Sequence, residues 1–427
     1  MKKLFFGVVL VCGGLIIGLP GAVGFVAERQ HDQFVRELNV HGNQLAEENY
    51  ERGWFSSRTR FRYRIEDERL RELAATVTQE PEGTPELLVD SEIYHGPVPA
   101  LSGGFDRAAL AWTDVDSSLS LRAPSGVEIS LPGELQSRVE ADGSTRFNYH
   151  AGAESRSIGN GLMLTWDDAE IDIALGRGKD SVSVNGNIGT IELTDTQVAM
   201  RVGPTVVKST QERSKNELWA GDVLIRIGAV TTPELAANDL TLETRVRESS
   251  GQATYAIELK ANNLQGAGFA GDNAHVDIFA QRLDAAALGR LIQLMSQYSD
   301  KGQIPSSQRD ALLRQLIAAG PEINLRTFKI PMPDSDIEGD ALISVSPGTG
   351  FTLAELARGA EGKARFLMPK EMIRQILQNG SPEVRNAIDT MMRFQILKSD
   401  GQRYRIEAEY AGGLLTVNGF PVPVPVF

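Results

Sequence analysis

Five histidines, His31, His41, His95, His150 and His275, are the side chains best suited to acid–base or metal chemistry near neutral pH. No two of them stand one helical turn apart on a common face, the spacing that lets a pair of imidazoles share a metal. Metal catalysis is therefore not expected. The acid pair Asp167-Asp168 could in principle shuttle protons, but neighbours on a strand point to opposite faces, so a solvated loop is expected there instead. Neither a Gly-x-Ser-x-Gly elbow nor a glycine-rich phosphate loop ending in Gly-Lys-Ser/Thr occurs. No catalytic, cofactor-binding or metal-binding residue is assigned, and no cofactor is expected; residues distant in sequence can still assemble a site.

The single cysteine, Cys12, rules out an intramolecular disulfide and a multi-cysteine zinc cluster. It sits in an apolar run, where a lipid-modified cysteine would want a small residue just before it. Val11 stands there, so a thiol packed in an apolar helix is expected. The run extends from Leu4 to Ala27 without a charge, preceded by Lys2 and Lys3. About 20 residues at 1.5 Å rise cross the hydrocarbon core, and the lysines place the N-terminus in the cytoplasm. Ala22-Val23-Gly24 would suit a signal-peptide cleavage site, but the run continues through Phe25-Val26-Ala27, beyond the usual ~7–15 residue apolar region. An uncleaved anchor is the expectation, with its glycines as a feature that could allow close helix pairing.

With 427 residues, 23% charged and 41% hydrophobic, the chain can bury a large core. Its net charge of -13 excludes a broad nucleic-acid surface, which needs clustered Lys and Arg. Phe34, Val35, Leu38 and Leu45 suit a helix continuing out of the membrane as a stalk. Then the period changes: Thr59, Phe61, Tyr63 and Ile65 alternate with Arg58, Arg60, Arg62 and Arg64, a strand with rings on one face and guanidinium groups on the other. The arginine row could meet anionic head groups, but solvation or pairing with neighbouring acids is expected.

From about Leu87 to Ile278, alternating segments such as Ile171–Leu175, Leu240–Val246 and Tyr255–Leu259 read as strands. Pro124-Ser-Gly126, Ala141-Asp-Gly143, Gly176-Arg-Gly178 and Asn185-Gly-Asn187 read as the turns between them. No repeat of fixed length emerges. Helical spacing follows at Leu283 to Met295 and at Leu312 to Ile317, then near Pro369 to Asn379 and Pro382 to Met392. Strands are expected at Glu322–Phe328, Asp340–Val345, Tyr404–Ala408 and Leu414–Val417. Pro421, Pro423 and Pro425 favour an extended tail.

The expected fold is mainly β with several α-helices (α+β): an N-terminal transmembrane helix, then a long, curved, meander-like antiparallel sheet with helices in the C-terminal half. The divisions are 1–27 anchor, 28–49 helical stalk, 50–281 β-rich region, and 282–427 helix-containing region closing the same body.

Tyr50-Glu51-Arg52-Gly53-Trp54-Phe55-Ser56-Ser57, followed by an alternating strand and Tyr94-His95-Gly96-Pro97, resembles the YdgA-like family of bacterial envelope proteins. So do the helix ending before Gly320-Pro321 and Gly413-Leu-Leu-Thr-Val-Asn418-Gly419. The resemblance implies a membrane anchor and a periplasmic β-rich body and carries no catalytic residues. From the residues alone, Gly53 suits a turn, Trp54 and Phe55 can bury their rings, and His95 can order a strand end through its ring nitrogens. Placement at the inner membrane, single-pass with the bulk periplasmic, admits as partners a lipid or other envelope ligand, an envelope protein, or a second copy of the chain. An apolar groove on the curved sheet and a non-enzymatic assembly module are the two functional classes that fit.

Overall fold

The computed structural model describes residues 45–422, apart from 53–55, 66–67, 69–70, 72–73, 76–77, 79, 81–82, 96–110, 141, 158–162, 195–198, 267–268, 299–304 and 380. The anchor expected at 1–27 and most of the stalk lie outside these residues. Among the described residues no helix is long and apolar enough to cross a membrane. The chain divides into two units, one through Lys208 and one from Ser209, so the change of character expected at 281/282 falls inside the second.

In the first unit, β1 (Leu45–Arg52), β2 (Ser56–Arg64), β3 (Glu86–His95), β4 (Ala111–Arg122), β5 (Glu128–Glu140) and β6 (Thr145–Ala151) form an antiparallel meander. The short β7 (Glu154–Ser157) and β8 (Met163–Trp166) leave it, and β6 pairs with β9 (Ala169–Leu175), which pairs with β10 (Ser181–Ile188). Next come β11 (Ile191–Thr194), β12 (Ala199–Val202) and β13 (Thr205–Arg213), β11 lying between β8 and β12. β13 runs on into the second unit.

The alternation that predicted these strands also builds their core. Directly paired residues project from the same face, and Ile93, Val115, Ser137, Phe147, Ile173 and Val184 are paired in succession across β3 to β10. All six are buried; the large apolar ones contribute about 1.5–3 kcal/mol each. On the other face the arginine row meets acids, as expected. Arg58 lies 3.3 Å from Glu92, Arg60 forks onto Asp90 at 2.6 and 2.8 Å, and Arg62 and Arg64 reach Glu86 at 3.7 and 3.8 Å. Each exposed pair is worth at most ~1 kcal/mol. One pair differs: Arg138 donates from Nε and Nη2 to the two carboxylate oxygens of Asp114, at 2.7 and 2.8 Å, with both side chains only 4% exposed.

Three expectations need correction here. The stalk does not stay helical to residue 49, because β1 starts at Leu45 and pairs with β2 from Leu45↔Tyr63 to Arg52↔Ser57. Asn185-Gly-Asn187 is no turn: Gly186 faces Ile171 inside β10, and the buried Val184, Gly186 and Ile188 continue the alternation straight through it. Pairing with β9 overrides local turn chemistry, and the real turn is at Gly176 to Asp180, where Gly178 takes φ 72°. Within the β-rich region, helix occurs at Glu68, Arg71, Ala74, Ala75 and Thr78, with Ala74 buried against Ile65 and Leu121.

The second unit is one long antiparallel succession: β14 (Trp219–Thr231), β15 (Leu235–Ser249), β16 (Gln252–Gly266), β17 (Phe269–Gly271), β18 (Ala274–Asp284), β19 (Glu322–Ile330), β20 (Ile337–Val345), β21 (Ala360–Pro369), β22 (Lys398–Asp400), β23 (Arg403–Ala411), β24 (Leu414–Val417) and β25 (Phe420–Val422). β17 folds back on the end of β16, β18 pairs with β16 itself, and β23 joins both β21 and β22. Pro421, expected in an extended tail, sits in the three-residue β25; proline is tolerated in such short edge strands.

Helices α1 (Ala285–Tyr298) and α2 (Ser306–Ala318) connect β18 to β19, and α3 (Leu353–Gly359) connects β20 to β21. These three stand at one end of the strands. α4 (Lys370–Asn379) and α5 (Pro382–Arg393) stand at the other. Leu283, expected in the first helix, lies in β18, whose last residue, Asp284, accepts from the Ala287 backbone N–H at 2.7 Å and leads into α1. α3, which lies outside the segments of expected helical spacing, is started by a capping box between Thr352 and Glu355. α1 presses Gly289 against the Asn216 carbonyl, and a methyl group there would collide with that backbone oxygen. Gly289→Ala is therefore expected to cost about 1–3 kcal/mol, read as a lower urea midpoint.

Candidate functional site

The second unit carries the surface that sets this protein apart from an ordinary closed sheet. Thr244 pairs with Ile257, Ile257 with Ile278, and Ile278 with Leu325. The row goes on through Ala341, Ala364 and Ala408 to Val417. On the same face a second row runs from Ile225 through Leu242, Leu259, Val276 and Phe328 to Phe366 and Ile406. A third runs from Val246 through Tyr255, Ala280, Ile323 and Ile343 to Tyr410 and Leu415. No charged side chain interrupts any of them. Two irregularities keep the rows aligned: the shifts at Asp277/Ile278 and between Leu325 and Phe328 bring Phe328 back opposite Val276. At about 4.8 Å per strand, the nine strands from β14 to β24 that the rows cross give a face roughly 38 Å wide.

In the first unit the equivalent row is closed over. Here it is open: Ile257 is 38% exposed, Leu259 45%, Ile323 49% and Ile343 57%. The helices explain why the ends are covered and the middle is not. Leu218, Ala253 and Ala285 gather Tyr255, Leu283 and Leu288 at one end, and Ala287 packs with Leu312 and Leu316 between α1 and α2. At the other end Ile373, Ile388 and Leu397 pack with Met368, Tyr404 and Ile406. Between these clusters an apolar surface faces outward, the kind of patch that marks a binding site.

The reverse face is ionic. Asp222 accepts from Arg245 and Arg247, Glu258 from Lys260 and His275, and Lys363 and Arg365 pair with Glu409 and Glu407. Hydrogen bonds from Arg247, then Arg245, hold the Asp222 carboxyl below the usual range; the Lys260 bond, then the His275 bond, does the same for Glu258. Stability from the Asp222 shift is fully present above the unfolded carboxylate value and is lost as pH falls through the depressed folded one. Arg247→Gln is thus expected to lower the thermal midpoint at pH 7 and to converge with the parent protein in strong acid.

Chemistry beyond binding has little to work with here. The rows offer hydroxyls but no carboxylate, imidazole or thiol. Among the described residues no group of three or more His, Cys, Asp and Glu side chains could hold a metal. His275 is engaged with Glu258 at 2.9 Å, His150 is exposed on β6, and His31 and His41 lie outside the described residues. Asp167 and Asp168 form an exposed loop and accept from the backbone N–H groups of Thr190 and Ala153.

The motif residues divide in two. Gly53, Trp54, Phe55, Gly96 and Pro97 lie outside the described residues, while Tyr50, Ser56 and His95 occupy strand positions opposite Thr59, Tyr94 and Thr113. Gly413 and the Asn418-Gly419 pair build two-residue hairpin turns, with φ of 84°, 50° and 84°. Asn418 does more than turn the chain. Its Oδ1 accepts from the Glu407 N–H at 2.9 Å, and its Nδ2 donates to the carbonyls of Gln395 and Ile396 at 2.7 and 3.0 Å, tying the hairpin to the end of α5. Asn418→Gly keeps the backbone angle and loses these bonds, an expected cost of about 1–2 kcal/mol, measurable by urea unfolding.

No curated protein and no solved structure matches this chain. The family model described as "Bacterial protein of unknown function (DUF945)" matches residues 1–425, and the chain belongs to that family.

Proposed function

We propose that this is an envelope protein of the YdgA-like kind, held at the inner membrane by the apolar run of residues 4–27, with its bulk in the periplasm. Its work is to hold lipid, or another apolar envelope ligand, on the open sheet face of the second unit. The observation that carries this reading is the exposure of Ile257, Leu259, Ile323 and Ile343 in the middle of three uncharged rows. Water is a poor occupant of such a surface, and hydrocarbon is a good one: each methylene buried contributes about 0.8 kcal/mol. The ionic reverse face suits contact with water, and the acid excess of the chain argues against nucleic acid.

The competing reading is a non-enzymatic assembly module whose apolar face is covered by another envelope protein or by a second copy. Extraction of the full chain from native membranes in mild detergent, followed by identification of both bound lipids and bound proteins, separates the two. Stoichiometric lipid on the monomer is the expected result. A lipid-free oligomer or hetero-complex that shields Ile343 from labelling would overturn it.

A further inference from the structure

We infer that the α4–α5 hairpin is a docking surface for an anionic bilayer, and that it brings the end of the apolar sheet face to the lipid. This rests on the reading of that face as a lipid site. Val384, Ala387, Met391 and Phe394 recur at i, i+3, i+7 and i+10, so they form one stripe along α5. All four are exposed, and Phe394, at 71%, is the most exposed of the large apolar side chains among the described residues. The adjacent stripe of the same helix, Ile388 and Met392, is packed into the cluster that contains Met368, Tyr404 and Ile406. The helix therefore has one broad apolar arc, half of it joined to the sheet face and half turned outward. Asn418 fastens the β24–β25 turn to Gln395 and Ile396, which brings the exposed Phe420 to the same end.

Two features favour a bilayer over a protein partner. In a chain of net charge -13, the hairpin's own residues 370–393 carry four basic and three acidic side chains, so it is locally cationic by one charge. Arg385 borders the apolar arc beside Ile388 and Met392, so its long stem can lie along that arc and keep its charge among head groups. The stripe is also short: three side chains on a twelve-residue helix and a fourth at its C-cap fall well below the ~800 Å² per partner of a stable protein interface.

The test uses the full chain with Cys12→Ala, which removes the only thiol, and a single cysteine carrying an environment-sensitive fluorophore at position 391, 394, 386 or 343. Asn386 lies on the opposite side of α5 from the stripe and serves as the control. In nanodiscs of phosphatidylethanolamine and phosphatidylglycerol, a quencher on the lipid chains is expected to dim the probes at 391 and 394 at least twofold more than the probe at 386, with a smaller difference in pure phosphatidylcholine. Equal quenching at 386 and 394, no quenching at either, or concentration-dependent self-quenching from a second copy would each overturn the docking. The probe at 343 reports occupation of the sheet face separately. Quenching at 394 without occupation at 343 keeps the docking and sinks the face; occupation at 343 without quenching at 394 does the reverse. Phe394→Asp, at an exposed position, is expected to keep the thermal midpoint and slow loading at 343 by more than tenfold.

Discussion

Arg138→Met is expected to lower the unfolding free energy by about 3–5 kcal/mol, because it leaves the Asp114 carboxylate buried without the guanidinium that now bonds both its oxygens. That is a large fraction of what a domain this size has to lose. Replacing both members, Asp114→Leu with Arg138→Met, is expected to return stability to the parent value or somewhat above it, since two charges are then no longer held out of water. Urea unfolding of the single and double variants makes the comparison. A single variant within about 1 kcal/mol of the parent would show that the pair is not desolvated in the way its 4% exposure implies.

A second large effect is expected on the apolar face. Leu259→Glu together with Ile343→Glu places two carboxylates where hydrocarbon would lie, and covering each costs several kcal/mol. Lipid recovered with the protein is expected to fall by at least about 100-fold, the equivalent of roughly 3 kcal/mol. Because both side chains are about half exposed, the urea midpoint is expected to move little. Lys363→Glu, on the ionic face, is the control and is expected to leave the lipid in place. Undiminished lipid in the double variant would refute the proposed site.

Much of the architecture was legible in the sequence, and the physical reason is periodicity. Phe61 and Tyr63 alternating with arginines, or Ile171, Ile173 and Leu175 alternating with polar residues, fix both the strand and its inward face. The helices α1, α2, α4 and α5 showed through their spacing and their prolines. The misses have equally local causes. Asn185-Gly-Asn187 carries strong turn chemistry, yet β9 supplies a partner for each residue from Val182 to Ile188. The helix around Ala74 lies in a charge-rich stretch whose Leu70, Leu73 and Val77 spacing was the available signal. At Leu45 a helical spacing of apolar residues was outweighed by pairing with β2.

The candidate site was legible only in outline. Alternation announced an apolar face, but which residues line up across strands depends on long-range pairing. The irregularities at Asp277/Ile278 and between Leu325 and Phe328 move the frame in ways no local pattern records. Asp114 and Arg138, 24 positions apart, each look like an ordinary surface charge until β4 and β5 bring them together.

The three unbroken rows have a consequence for how a guest would be chosen. They supply grip without a charged locating peg, so a greasy tail shifted by one strand would exchange one set of methylenes for another at nearly equal energy. On the proposed reading, such a surface would measure a guest by reach. Affinity should climb with tail length until the width is used up, and stay almost blind to what the tail is attached to.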